Sequence, residues 1–362
     1  MLAKLTQSAT PLSAAQLERL SHVLFILPTT DTVNSFSAVP GVGTLRALLK
    51  RKNMTCADLA KIPLSGMLPH GGLAVWVMPA AEQTKFELQT LLRRASQILL
   101  EERPAALTIA VYARALDRER FAETALYCAW VNSIKLPTRK SSSKTQQLKG
   151  VHLAGVARKD AFAMVAAQAE GNALTRSLSV TAPNDLTPAA YRAAIRKLAK
   201  AEHWQIEEYD FDKLKKMGAG AFCAVAQGSP ERDAAIVHLV YAPKALKKSS
   251  KTVALVGKGI CFDTGGHNLK PAAYMTGMHE DMNGSAVALG ILTAATRLKL
   301  PLRLDVWLAI AQNHIGPNAY KQNDIVTALN GTTIEIVHTD AEGRMVLADT
   351  LTLVVRNKKK PE

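Results

Sequence analysis

Short apolar runs that read as strands alternate with amphipathic helical stretches along almost the whole chain. That alternation restricts it to layered α/β folds with mostly parallel sheets. Periodicity predicts helices over 14–27 and 85–101 and short buried strands over 72–77 and 107–112. A helix over about 118–134 precedes KLPTRKSSSKTQQLKG, whose serines, lysines and proline mark a linker or exposed loop. A strand over 150–156 and a helix over 161–178 follow. Then comes the break SVTAPNDLTP, where Asp185 or Thr187 can cap a helix opening with Pro188. Further strands are expected over 204–209, 234–241, 252–256 and 303–311, with helices between them. A chain of 362 residues fits two domains better than one. We expect an N-terminal α/β domain over 1–150, a connecting strand and helix over 151–180, and a second α/β domain over 181–362.

Composition excludes several classes. Hydrophobic residues make up 48% of the chain, enough for a substantial core, so disorder is not the default. The longest apolar stretches, 253–256 and 306–311, fall far short of a membrane span. The opening MLAKLTQSATPLSAAQ lacks the apolar core and cleavage site of a secretory signal. Cys56, Cys128, Cys223 and Cys261 lie far apart without paired spacing. They make neither a disulfide framework nor a zinc finger, and a reducing cytoplasm is the plain expectation. The net charge of +15 admits a nucleic-acid or anionic-surface binder. Its lysines and arginines are nonetheless spread along helical faces, and the tighter clusters at 135–149 and 358–360 carry no interleaved aromatics.

Two segments carry the chemistry. The first is VGKGICFDTGGHNLKP followed by MHEDMNGSAVALG; the second is HTDAEGRMVLADTL. In the second, Asp340 and Glu342 are two apart, so an extended segment points both carboxylates the same way. Such a pair repels itself unless cations or protons intervene. Gly343 then permits a turn, and Arg344 opens an apolar helix beginning at Met345. In the first, Gly257 and Gly259 flank Lys258 at the end of a strand, an unusual setting for a surface charge. Asp263 follows at the next strand end, before the turn Thr264, Gly265, Gly266, and Lys270 comes just after that turn. Asp281 precedes a helix over about 284–298, with Asn283 available as its cap. Asp263, Asp281, Asp340 and Glu342 thus gather with two lysines at strand ends, where α/β sheets usually bind ligands. Hard oxygen donors in this number suit divalent cations, with bridging carboxylates holding a pair about 4 Å apart. His267, His279, His314 and His338 show no HExxH spacing, no serine sits in a G-x-S-x-G setting, and GKGICFDTGG lacks the order of a phosphate loop.

These segments resemble the M17 family of leucyl aminopeptidases, the cytosol aminopeptidases, whose signature is similar to N-T-D-A-E-G-R-L. The spacing from Lys258 through Asp263, Lys270 and Asp281 to Asp340, Glu342 and Arg344 matches that family without a gap. APNDLTP, MGAGAFCAVAQGS, NAYKQNDIV and ALYCAWVNSIKLPTRKS also resemble family segments. The resemblance implies a smaller N-terminal α/β domain before an α/β metallopeptidase domain with a mostly parallel central sheet. It implies a dinuclear site of Zn²⁺ or Mn²⁺ in which Asp263 and Glu342 bridge. Asp340 completes one position; Lys258 and Asp281 complete the other. Lys258 then binds as a neutral amine, a state that costs a free lysine about 4–5 kcal/mol at pH 7 and is reasonable only with a direct bond to a cation. Lys270 is implied to stay charged and stabilise the oxyanion, and Arg344 to anchor a bicarbonate that relays a proton. The implied substrates are peptides with a free N-terminus, and the implied assembly of a complete chain is a homo-oligomer, commonly a hexamer.

His338 stands where the family signature has Asn, His267 and Asn268 interrupt the residues before Lys270, and Asn283 replaces a glycine after Asp281. None of these is an implied ligand. The chain stops about twenty residues after Glu342, at VVRNKKKPE, where family members continue. The resemblance therefore implies a C-terminally incomplete domain with an exposed edge or apolar face, poorly soluble or weakly active by itself. The alternative reading is a non-catalytic or DNA-binding accessory protein on the same scaffold, which the charge keeps open. No membrane partner is expected.

Overall fold

The structure is a computed structural model, and it describes residues 2–140, 148–244, 246 and 251–357. The basic clusters at 135–149 and 358–360 therefore lie partly and wholly outside the described residues. Two compact units divide between Glu170 and Gly171, inside the helix Ala163–Ser179, with residues 136–138 grouped with the second unit. No helix among the described residues is long and apolar enough to cross a membrane.

The first unit is built on six strands: β1 (Lys4–Ser8), β2 (His22–Ile26), β3 (Leu64–Met67), β4 (Leu73–Val77), β5 (Ala106–Val111) and β6 (Gly150–Ala154). Their order is β1-β6-β5-β2-β4-β3, parallel except where β3 meets β4. Strands buried on both faces read as unbroken apolar runs because successive residues serve opposite layers. In β2, Leu24 and Ile26 join the core under the helices Lys85–Glu101 and Ala115–Asn132, whereas Val23 and Phe25 join the core on the other face. This corrects the helix expected over 14–27. The helix ends at Leu17, and the run VLFIL becomes a central strand because a sheet can bury every one of those side chains. The strand Gly150–Ala154, expected in a connecting segment, is an internal strand of this sheet. The helix over 85–101 begins with a capping box between Thr84 and Glu87.

The second unit holds β7 (Gln205–Asp210), β8 (Ala235–Tyr241), β9 (Thr252–Asp263) and β10 (Arg303–Asn313), in the order β7-β8-β10-β9. β9 and β10 run parallel, while β8 is antiparallel to both β7 and β10. A short hairpin pairs β11 (Ile325–Thr327) with β12 (Thr333–Glu335). The residues of β10 alternate between two layers. Leu304, Val306, Leu308 and Ile310 pack with the helices Pro188–Glu202 and Asn283–Arg297; Trp307, Ala309 and Ala311 pack with Gly220–Ala226 and Glu342–Arg356. Of the two candidate caps before Pro188, Thr187 is the one used. Asn283 is not the N-cap of the helix that follows. It is the first helical residue, and its amide oxygen accepts from Ser179 Oγ at 2.9 Å.

One buried carboxylate ties the last helix to the rest of this unit. Asp349 is fully buried, and its oxygens accept the backbone N–H groups of Phe222 (2.8 Å) and Leu329 (2.7 Å). Burial raises its pKa, and these N–H donors pull it back down. Removing the acceptor leaves two buried donors without partners, at about 1–3 kcal/mol each. Asp349→Ala is expected to destabilise the chain by about 2–5 kcal/mol in urea unfolding, and an unchanged midpoint would contradict this role.

Candidate active site

The candidate residues come from four pieces of chain around the C-terminal end of β9. Lys258 lies inside this strand, which runs unbroken from Thr252 to Asp263, and not at a strand end as its flanking glycines suggest. Those glycines serve close packing. A Cβ on Gly257 would lie 2.6 Å from Ser285 Cα and 2.9 Å from the Gly284 carbonyl, so only glycine lets the helix Asn283–Arg297 approach β9 this closely. The register between β9 and β10 shifts near their ends, a bulge that sets Asp263 opposite Asn313. Beyond Asp263 the chain turns at Gly265 and Gly266, both with positive φ, and returns so that Lys270 N–H donates to the Thr264 carbonyl at 2.9 Å. Asp281 sits in the 3₁₀ turn Met278–Met282. Asp340 and Glu342 are not on an extended segment: Asp340 lies in the 3₁₀ turn Thr339–Ala341, and Glu342 is the first residue of the helix Glu342–Arg356. The helix thus starts three residues before Met345, and its N-terminus carries the acid.

Six of the seven sequence-derived residues converge. Carboxylate oxygens of Asp263, Asp340 and Glu342 all lie within 4.8 Å of one another. Lys258 Nζ is 2.7 Å from Asp281 Oδ2 and donates to Glu342 Oε1 at 2.6 Å. Lys270 Nζ is 3.0 Å from Asp263 Oδ2 and donates to Asp340 Oδ1. Asp263 and Glu342 are each 2% exposed, so their charges are held where water screens them little. The Asp281 carboxyl is raised to about 6: burial pushes it up most, Lys258 pulls against that, and Glu342 and Asp263 add to the rise. Burial also disfavours charge on both lysines, but the carboxylates around them outweigh it and hold both above the ordinary range. Arg344 stands apart. It is exposed on the first turns of the last helix and makes no hydrogen bond or ion pair among the described residues.

The donor set fits hard divalent cations. It offers four carboxylates, and Glu342 Oε2 is buried without a hydrogen-bond partner among the described residues. No histidine joins the Asp263, Asp340 and Glu342 group among the described residues. His338 instead accepts the Asp340 N–H at 3.2 Å, and His267 Nδ1 lies 3.0 Å from the Tyr320 carbonyl. Cys261 is buried, and burial pushes its thiol well up, which suits a packing residue.

Behind the acids lies a layer of neutral polar groups, of which the sequence singles out only Asn268, as a departure from the family pattern. Asn313, Thr339, Tyr320 and Asn268 link the turn after Asp263 to the turn that carries Asp340. Thr339 Oγ1 donates to the Gly265 carbonyl at 2.6 Å and accepts the Asn268 N–H at 2.8 Å, while the Tyr320 hydroxyl donates to the Thr339 carbonyl at 2.5 Å. The usable signal was a polar Asn ending an apolar strand beside the acids.

A family model described as the cytosol aminopeptidase family, catalytic domain, matches residues 173–362. The probable cytosol aminopeptidase of Stutzerimonas stutzeri (strain A1501) is 46% identical over 204 residues, which are 56% of this chain and 40% of that protein. The corresponding protein of Corynebacterium diphtheriae is 43% identical over 202 residues, again 56% of this chain and 40% of that protein. The chain thus matches about 40% of the length of these curated relatives. Among solved structures, the bottromycin maturation enzyme BotP in complex with Mn superposes with a TM-score of 0.75 at 29% identity, covering 94% of this chain and 70% of that one. Leucyl aminopeptidase from Trypanosoma brucei in complex with bestatin gives a TM-score of 0.75 at 23% identity, covering 100% of this chain and 72% of that one, and shares the fold. Carrying the acids and lysines of its second unit on that matched span, the chain belongs to the cytosol aminopeptidase family.

Proposed function

We propose that this chain is a metal-dependent aminopeptidase that removes N-terminal, leucine-type residues from peptides with the help of two divalent cations. The observation that carries this reading is the convergence of Asp263, Asp281, Asp340 and Glu342 on one spot with Lys258 and Lys270 between them. The Mn-containing structure of BotP supports a divalent cation in such a fold. Asp263, Asp281, Asp340 and Glu342, with Lys258 as a neutral amine, would hold the pair. When bound, the cations acidify a water toward neutral pH and polarise the scissile carbonyl.

The remaining roles belong to the chain's own side chains. Lys270 keeps its ammonium beside Asp263 and Asp340, and it is the donor placed to stabilise negative charge developing on the carbonyl oxygen. Lys258 must give up its proton to act as a ligand, and its contacts with Asp281 and Glu342 already place Nζ among the donor oxygens. Arg344, exposed and unpaired among the described residues, is available to hold a bicarbonate that passes a proton to the leaving amine. The free α-amine of a peptide is a further neutral donor for a cation, which restricts such a site to chain termini.

Two measurements test this. The purified chain loaded with Mn²⁺ or Zn²⁺ is expected to bind two ions and to hydrolyse leucine p-nitroanilide. Lys270→Ala is expected to lower kcat about 10²–10³-fold while KM changes little. A chain that binds no metal, or activity indifferent to Lys270, contradicts the proposal. Gly343→Ala supplies a structural check, because its Cβ would meet Cδ, Cε and Nζ of Lys258, each at 3.1 Å. It is expected to weaken Mn²⁺ binding by crowding the end of Lys258, which must give by a few tenths of an ångström, and unaltered affinity would contradict that crowding.

A further inference from the structure

We infer that Asn313 is a positioning residue for the metal site: its buried amide holds Asp263 Oδ1 and thereby turns Oδ2 toward the cation position. This rests on the aminopeptidase reading above and names a residue outside the ligand set. Asn313 is the last residue of β10, is fully buried, and lies opposite Asp263 because of the bulge. Its Nδ2 donates to Asp263 Oδ1 at 2.8 Å and to the Thr339 carbonyl at 3.1 Å. Both partners are pure acceptors, so the amide has one possible orientation; a flip would set Oδ1 against two oxygens. Asp263 Oδ1 also accepts the Gly265 N–H at 2.8 Å, so this oxygen is satisfied by two donors. Oδ2 is the oxygen left over, and it is the one that lies 3.0 Å from Lys270 Nζ.

The backbone of Asn313 joins the same arrangement. Its carbonyl accepts both the N–H of Thr264 (2.9 Å) and the Thr264 hydroxyl (3.0 Å). One residue therefore grips the strand end that carries Asp263 and, through the Thr339 carbonyl, the residue immediately before Asp340. Two segments that are distant in sequence take a fixed separation from a single neutral side chain. A neutral amide suits this place because a cation there would compete for the carboxylate charge, and an apolar group would free the carboxylate to rotate.

The test measures Mn²⁺ affinity by calorimetric titration alongside hydrolysis and thermal unfolding, using the full chain. Asn313→Leu keeps the volume and removes the donor; Asn313→Ser, smaller and still polar, is too short to reach Oδ1 and serves if the leucine variant does not fold. Either is expected to weaken Mn²⁺ binding about 10–100-fold. In an Asp263→Asn background the same change should add little further loss, because the two side chains act as one unit. A lower unfolding temperature with unchanged Mn²⁺ affinity would make Asn313 merely structural and overturn the inference while leaving the proposed function standing. Fully additive losses in the double variant would also overturn it. A wild-type chain without Mn²⁺ affinity overturns both.

Discussion

The mutual repulsion of carboxylates in a largely dry site is the constraint around which the second unit is arranged. Two ionised carboxylates within 4.8 Å of each other repel by about 3 kcal/mol or more, even at an effective dielectric constant of about 20. Asp263 and Glu342 are both almost fully buried, so water does little to relieve them. Lys258 and Lys270 supply the opposing charge, each pairing with two of the four acids. The same geometry that makes the acids tolerable with ammonium groups suits them to divalent cations, since both solutions bring positive charge to one set of oxygens.

That geometry depends on backbone positions with no side chain in the way. Gly257 admits the helix Asn283–Arg297 against β9, and Gly343 leaves room for the whole end of Lys258. The two parallel strands β9 and β10 end side by side, and the bulge between them aims Asp263 and Asn313 at each other. On the far side of the site, Asp349 fastens the helix that begins with Glu342 to the segments around Phe222 and Leu329. Movement of this helix would displace Glu342, so Asp349 bears on the site without touching it.

The candidate residues were legible as chemistry before they were legible as geometry. Acids and lysines clustered near glycines and strand ends mark a candidate cation site, and Lys258, Asp263, Lys270, Asp281, Asp340 and Glu342 do meet. Their local settings were harder to read. Lys258 is within a strand that continues to Asp263, and Asp340 and Glu342 reach the same spot through a turn and a helix start. An i, i+2 pair points to one side in a strand, but a tight turn into a helix achieves the same convergence, and spacing alone does not separate the two. The run VLFIL illustrates the same ambiguity in the first unit, where burial on both faces selects a strand over the continuation of a helix.

By itself the sequence determined the α/β class, because alternating apolar runs and amphipathic stretches can bury their faces only in layers. It also determined the chemistry of the acidic cluster, because residue type sets charge and ligand hardness wherever the chain runs. Tertiary structure alone decided the register of β9 against β10, the partner oxygen of each lysine and the part played by Asn313. Those features depend on contacts between segments up to 84 positions apart, as from Lys258 to Glu342, and a local pattern holds no record of which distant group will stand opposite.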